Sequence, residues 1–500
     1  MSHAENQTIR ILDLMESSGV KFGTSGARGL ADDMTDYVCY AYSLAFLEYL
    51  LESGQINKAD GVAIAGDFRP SSPRIMAAVA KAVTDAGCAP VNCGFIPTPA
   101  VACYAMKRGI AGIMVTGSHI PDDRNGIKFY KPAGEILKPD EQAMCARSVS
   151  IAAGMFDYAG QSLLASLPHE QSEACREFVQ RYLDFFPAGC LEGLKVGVYE
   201  HSSVARDILG EVIEKLGAEV VRLGRSDHFI PVDTEAIRPE DVTLARDWSQ
   251  EFKLDCIVSA DGDGDRPLVS DEHGQWLRGD VAGILCAHYL GASHVATPVS
   301  CNSAVEKSGW FNQVDRTRIG SPFVIEAMDK AIASGAQNVV GYEANGGFLT
   351  ATDIEIEGRV LTALPTRDAV IVPLAILMLA KAFTSSVSAL LEQLPQRFTS
   401  SDRLKAFPTE LSRQKLQPLI STDLHQNNRS AEAILGSVFG SVVSVDSTDG
   451  VRITFKNNEV VHLRPSGNAP ELRCYNEADT EERALEMNRV CLEILESWRQ

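Results

Sequence analysis

One local pattern recurs three times along this chain of 500 residues, and it limits the fold more than any other feature. Val62 to Ala65 reads as a buried strand. A loop with Ser71 and Ser72 follows, then a helix from Arg74, Gly87, a strand to Cys93, and Gly94. Val196 to Tyr199 begins the same series, with Ser202 and Ser203, a helix from about Val204, Gly217, a strand to Leu223, and Gly224. A third copy starts at His294 to Val299, continues through Ser303 and Gly309, and ends at Gly320. Short apolar runs alternating with helical periodicity that stops at glycine predict mixed or parallel sheets covered on both faces. The expectation is three related α/β domains with boundaries near residues 160, 270 and 385, since a chain this long exceeds a single core.

The end of the chain reads differently. Val442 to Asp446, Val451 to Phe455, Val460 to Leu463 and Leu472 to Asn476 are short strands, separated by turns such as Thr448-Asp449-Gly450 and Asn457-Asn458. A helix from about Thr480 to Trp498 closes this smaller α+β domain. The full assignment is therefore 1–160, 161–270, 271–385 and 386–500, arranged around a central cleft.

Four polar motifs interrupt this framework. After the strand Ala111 to Val115 comes Thr116-Gly117-Ser118-His119, with Lys128 ten residues beyond the serine, behind an Asn-Gly turn. A serine hydroxyl needs a neighbouring base or cation to act as nucleophile or phosphate carrier; the alternative is an ordinary polar turn. At the end of the strand Cys256 to Ala260 stands Asp261-Gly-Asp263-Gly-Asp265-Arg266, a compact set of hard oxygens suited to magnesium or calcium. An EF-hand is excluded, because Arg266 falls where its turn needs glycine and a strand precedes the loop where a helix is required. An aspartyl phosphatase, which also clusters aspartates after a strand, stays open. Lys21 to Leu30, KFGTSGARGL, is a Gly-rich segment with Arg28 whose amides can wrap an anion. Arg464 to Tyr475, RPSGNAPELRCY, sets a guanidinium beside Ser466, Gly467 and Asn468, a grouping suited to phosphate.

In that order, together with GYEANGG at 341–347, these motifs resemble those of the α-D-phosphohexomutase superfamily, which includes phosphomannomutases, phosphoglucomutases and phosphoglucosamine mutases. The resemblance runs from Lys21 to Tyr475. It implies an isomerase that interconverts hexose 6-phosphate and hexose 1-phosphate, with mannose preferred and glucose also used, activated by a hexose 1,6-bisphosphate. By the same resemblance Ser118 carries the phosphate. Asp261, Asp263 and Asp265 with a phosphate oxygen on Ser118 hold magnesium, and Arg28, His119 and Lys128 surround the transferring group as proton movers or cations. Arg266 lies beside the metal. Glu343 and Asn345 read sugar hydroxyls, while Arg318, Arg464, Ser466, Gly467, Asn468 and Arg473 complete the substrate site. Three departures stand out. Ile120 replaces the usual Asn after Ser-His. The loop usually written Gly-Glu-x-Ser-Gly-His is Tyr342-Glu343-Ala344-Asn345-Gly346-Gly347, without the histidine. Asn468-Ala469 stands where Thr-Glu is common. Phosphoglucosamine mutase, sugar-phosphate phosphatase and non-catalytic sugar-phosphate binder remain as alternatives.

Composition is consistent with this. A formal net charge of −20 argues against nucleic acid or an anionic membrane as partner, so a phosphorylated substrate must be held by local cations. The twelve cysteines form no C-x-x-C pair and read as reduced thiols. There is no signal-peptide pattern, and the longest apolar run, Ala369 to Ala380, is too short to cross a bilayer. A cytoplasmic monomer or homodimer is expected.

Overall fold

A computed structural model describes residues 6–23, 26–157, 159–162, 166–466 and 470–499. Its organising element is a four-stranded unit that appears three times. In the first, strand Gly61–Gly66 pairs in parallel with Ala89–Asn92 on one side and Ala111–Val115 on the other, and Ala111–Val115 pairs antiparallel with Arg124–Lys131. The second repeats this order and sense with Lys195–Tyr199, Glu219–Leu223, Cys256–Ala260 and Pro267–Val269. The third does so with His294–Pro298, Gln313–Thr317, Val339–Tyr342 and Phe348–Thr350. The first unit is widened by strands Ala27–Leu30 and Lys21–Phe22, and by Gly134–Glu135 paired to Arg124–Lys131, into a seven-stranded sheet.

The central strand of each unit is apolar and shielded on both faces, as a parallel strand under two helical layers must be. The crossover helices differ in length: Ser72–Asp85, Arg206–Lys215, and in the third unit only Ala304–Lys307. In that third copy the expected helix shrinks to a single turn because Ser308 and Gly309 stop it directly after Lys307.

This topology fixes where the chemistry lies. In every unit the turn from the third strand to the antiparallel fourth carries one motif: Thr116 to Asp123, Asp261 to Arg266, and Glu343 to Gly347. All three turns leave the carboxyl end of a parallel strand, where open α/β sheets bind ligands. The expected α/β fold, with three related domains and a smaller α+β domain, is therefore observed.

One large apolar core runs through all three units, from Ala63 and Met114 to Val258, Val340 and the buried helix Ile371–Ala382. The C-terminal domain has its own core, formed by Phe407, Leu435, Val461 and Cys491 among others. Its five-stranded antiparallel sheet runs Phe398–Leu404, Leu472–Ala478, Val460–Pro465, Val451–Phe455, Val442–Asp446. Polar contacts join it to the third unit. Asn302 Nδ2 donates to the Arg397 carbonyl (2.7 Å), the Ser303 amide donates to Glu477 (3.1 Å), and the Ile319 amide donates to Asp449 Oδ2 (2.9 Å). Among the described residues no helix is long and apolar enough to cross a membrane. All twelve cysteines are free thiols, eight of them buried.

Candidate active site

The serine loop and the aspartate loop meet edge to edge. Gly262 allows this approach, since a Cβ there would come within 2.8 Å of the Ser118 carbonyl oxygen. Ser118 is fully buried, adopts a left-handed φ of 58°, and donates from Oγ to Asp261 Oδ2 at 2.7 Å. A serine in that backbone region is strained and needs support from its surroundings. The support comes from an element absent from the sequence reading, Asp67-Phe68-Arg69 at the end of strand Gly61–Gly66. Asp67 accepts from Thr116 Oγ1 (2.7 Å) and Ser72 Oγ (2.6 Å), and is ion-paired with the fully buried Arg69. Arg69 in turn donates to the carbonyls of Ser118 (2.9 Å) and Ile120. The backbone on either side of the Ser118 side chain is thereby held.

Asp261, Asp263 and Asp265 are all fully buried, and one carboxylate oxygen from each lies within 4.8 Å of the others. Their loop is anchored from the first domain, where Thr98 N–H donates to the Asp263 carbonyl (2.9 Å), and from within its own, where Ser203 Oγ donates to the Asp261 carbonyl (2.7 Å). Lys128 Nζ donates to Oδ2 of Asp263 and of Asp265, each at 2.6 Å, and Thr98 Oγ1 donates to the same Asp263 Oδ2 at 2.5 Å. The opposite oxygens, Asp263 Oδ1 and Asp265 Oδ1, are buried without a hydrogen-bond partner. Buried carboxylate oxygens are normally satisfied. Two such orphans beside Asp261, in a cluster of hard oxygens, fit a small divalent cation of the magnesium type.

Around this centre stand two further cations and a histidine. Arg28 lies on strand Ala27–Leu30 opposite Gly126, where a Cβ would come within 2.8 Å of the Ala27 carbonyl oxygen and 3.0 Å of the Arg28 stem. Burial, then the nearby Arg266, lowers its pKa to about 10. Arg266 reaches to 4.0 Å from Asp261 and 3.8 Å from Asp265, and its Nη1 donates to His119 Nδ1 at 2.8 Å. His119 is held uncharged, its pKa lowered to about 2 by burial and then by Arg266 and Arg28. Nδ1, which accepts from Arg266, also lies 3.5 Å from Ser118 Oγ. With Nδ1 accepting from Arg266 and the charged form disfavoured, His119 is in this arrangement neither a cation nor a ready proton acceptor through that nitrogen.

In the third unit, Glu343 and Asn345 are nearly buried. The loop closes on itself through the Gly347 amide, which donates to Asn345 Oδ1 (2.9 Å), and is tied to the second unit by Thr234 Oγ1, which donates to the Asn345 carbonyl (2.7 Å). Asn345 thus spends its acceptor on the loop, which leaves its amide group to donate. Arg367, also unread in the sequence, joins Asp265 to Glu343.

On the fourth domain, Arg403, Arg473 and Arg464 stand directly opposite one another on three adjacent strands. Like charges in such register repel, and an anion between them would remove the penalty. Arg464 is paired with Asp449 at 3.0 Å and Arg403 with Glu471 at 3.5 Å. A cavity of about 500 Å³ extends from His119 across Arg278 and Ala344 to Arg403, Lys405 and Arg473. Ser466 is buried and its amide donates to the Glu471 carbonyl (2.9 Å). Gly467 and Asn468 lie outside the described residues. Arg318 is exposed, with its guanidinium 5.0 Å from the Phe323 ring centre, next to Ile319 at the seam with the fourth domain.

Models of four successive parts match the chain: phosphoglucomutase/phosphomannomutase alpha/beta/alpha domains I, II and III over residues 19–152, 178–274 and 278–398, and the C-terminal domain over 419–493. The chain belongs to the phosphoglucomutase/phosphomannomutase family. A phosphomannomutase of Salmonella muenchen is 43% identical over 485 residues, 97% of each chain. One of Sinorhizobium fredii is 44% identical over 479 residues, 96% of this chain and 99% of that one. Among solved structures, a putative phosphomannomutase from Thermus thermophilus superposes with a TM-score of 0.72 at 19% identity, covering 95% of this chain and 99% of that one. Membership in the phosphoglucomutase/phosphomannomutase family agrees with the resemblance carried by the motifs.

Proposed function

We propose that this family member is a phosphohexose mutase that interconverts hexose 6-phosphate and hexose 1-phosphate, with mannose the principal sugar and glucose a second. The observation that carries this is the 2.7 Å bond from Ser118 Oγ to Asp261, inside a buried ring of Lys128, Arg28 and Arg266. That ring is built to hold a phosphoryl group on serine. Ser118 passes it to one end of the sugar phosphate; the bound hexose 1,6-bisphosphate then reverses and returns its other phosphate. Free bisphosphate primes the serine.

Asp261, Asp263 and Asp265 would hold magnesium, which when bound offsets negative charge at the phosphoryl group. Lys128 keeps two of these carboxylates in place and, with Arg28 and Arg266, supplies positive charge where the transferring oxygens gather. The arginine row of the fourth domain, with Ser466 and Asn468, grips the phosphate that is not reacting. Arg318 lies toward that same seam. Glu343 accepts bonds from two adjacent hydroxyls. Positions 3 and 4 are configured alike in glucose and mannose, so such a reader accepts both sugars, and glucosamine phosphate is used less well. The twelve free thiols suit the reducing cytoplasm.

The test is to incubate mannose 1-phosphate with the enzyme, magnesium and glucose 1,6-bisphosphate and follow both phosphate positions by phosphorus NMR. A mutase produces mannose 6-phosphate with total sugar phosphate conserved. Stoichiometric release of inorganic phosphate would identify a phosphatase instead, and binding without conversion would identify a non-catalytic receptor. In Glu343→Ala, KM should rise and turnover fall for mannose and glucose together; loss of one sugar alone would refute the shared reader.

A further inference from the structure

Gly347 occupies the position that carries histidine in the similar loops, and the structure shows what fills the space. A Cβ built on Gly347 would lie 2.7 Å from Cγ of Arg367 and closer still to its Cδ. The stem of Arg367 therefore runs through the volume a side chain at 347 would need. The two are alternatives: either residue 347 carries a side chain, or residue 367 sends an arginine through this space.

Arg367 comes from a different part of the chain, the segment after strand Arg359–Leu361 and just before helix Ile371–Ala382. It is buried, and its guanidinium spans two loops. Nε and Nη2 lie 3.1 and 2.9 Å from Asp265 Oδ2, while Nη1 lies 3.1 Å from Glu343 Oε2. The planar fork bonds both carboxylates at once in one fixed geometry, which a histidine ring or a lysine could not reproduce. Glu343, itself nearly buried, depends on this ion pair to remain an acceptor for sugar hydroxyls.

We infer that Arg367 is the positioning residue that replaces the missing loop histidine, orienting Glu343 toward the sugar and coupling sugar binding to the aspartate loop. This rests on the mutase reading for what the sugar site does, but not for the exchange between 347 and 367. Because one guanidinium holds Asp265 and Glu343 together, a cation taken up by the aspartates and a sugar taken up at Glu343 must adjust the same side chain. Each should alter the affinity of the other by the same factor.

The test uses Arg367→Met, Arg367→Lys, Gly347→His and the double variant Gly347→His with Arg367→Ala. Mannose 1-phosphate affinity is measured by calorimetry with and without magnesium, magnesium affinity is measured alone, and KM and kcat are measured at saturating bisphosphate. In Arg367→Met, sugar affinity should fall at least tenfold and its dependence on magnesium should disappear, with a larger change in KM than in kcat. Arg367→Lys, keeping the charge but not the fork, should recover less than half of the loss on a logarithmic scale. Gly347→His alone should be inactive or unstable through the clash. The double variant should bind sugar at least tenfold better than either Gly347→His or Arg367→Met.

A double variant no better than those singles, or Arg367→Met with wild-type affinity and intact magnesium dependence, would overturn the inference. If Arg367→Met does not fold, the lysine and double variants decide by the same readouts. Wild-type protein that bound sugar phosphate but never converted it would instead overturn the mutase reading, and the calorimetric arms would still decide the role of Arg367.

Discussion

The two ends of the cleft are built on opposite plans. At the serine end nearly every charge already has a partner: Lys128 on Asp263 and Asp265, Arg69 on Asp67, Ser118 on Asp261, all deeply buried. At the fourth-domain end three arginines face one another across adjacent strands, only Arg464 and Arg403 of them paired with carboxylates among the described residues, and Arg403 is exposed together with the nearby Lys405. The first end is a preorganised, desolvated centre where electrostatic stabilisation is strong. The second is a row of like charges in cross-strand register. A substrate that must reverse between two transfers needs both. One phosphate site has to be fixed to within fractions of an ångström, and the other has to release its load and take up the opposite end.

The largest expected effect lies at the fixed end. Ser118→Ala should cut turnover by about 10⁴-fold or more and abolish the fraction of protein that intact mass shows carrying one extra phosphoryl group, with the melting temperature little changed. An alanine variant of wild-type activity would break the contrast outright.

Asp263→Asn comes next, with a loss in kcat of about 10² to 10³-fold and magnesium activation moved to higher concentration. At saturating magnesium, sugar-phosphate affinity should barely change. Undiminished activity in excess chelator would remove the metal from the account.

Arg69→Met tests the support of the serine loop. It leaves Asp67 buried and unpaired, which costs about 3–5 kcal/mol in denaturant unfolding. Adding Asp67→Asn to it should restore much of that stability, and a double variant as unstable as the single would show that the charge pair is not the cause.

At the open end, Arg403→Ala should raise KM by about tenfold, equivalent to 1.4 kcal/mol, while kcat stays within about twofold and the salt dependence of KM weakens. A kcat loss as large as that of Asp263→Asn would show that this end is as rigidly involved as the other.

The smallest effect at neutral pH concerns His462, buried in the fourth domain. Nε2 bonds the Asp449 carbonyl at 2.6 Å, Nδ1 has no hydrogen-bond partner, and burial lowers the pKa to about 4. The unfolded chain, with a value near 6.5, binds this proton more tightly. Stability from this group is thus complete above about pH 6.5 and is lost as pH falls toward 4. His462→Gln should flatten that part of the profile; an unchanged slope would assign it to other groups.

How far all this could be read from sequence depends on whether the signal was local. Strands Ala111–Val115, Cys256–Ala260, Val442–Asp446 and Val451–Phe455 were legible to the residue, because apolar runs bounded by glycine or aspartate mark their own ends. Strand Phe398–Leu404 was not. It lies at a sheet edge with polar side chains on both faces, so no alternation betrays it. The same divide runs through the site. Ser118 and the aspartates stand in dense motifs, whereas Arg69, Thr98, Arg367 and Arg403 become part of the site through contacts or strand pairing with distant segments. Asp67-x-Arg69 directly after a buried strand was a usable hint. For Arg367 the one hint was a negative one, the glycine at 347.

Ser118 has no exposed surface in this fold, and that has a consequence for isotopes. On the proposed mechanism, a phosphoryl group lodged there would be shielded from bulk water and depart onto a sugar seated in the cleft. Each molecule of enzyme would then carry into one turnover the phosphorus atom it received in the turnover before. Radiolabelled phosphate supplied on one sugar should appear first on protein and then on an unlabelled sugar added later, with none lost to the medium. The catalyst would act as a relay between substrate molecules that never meet.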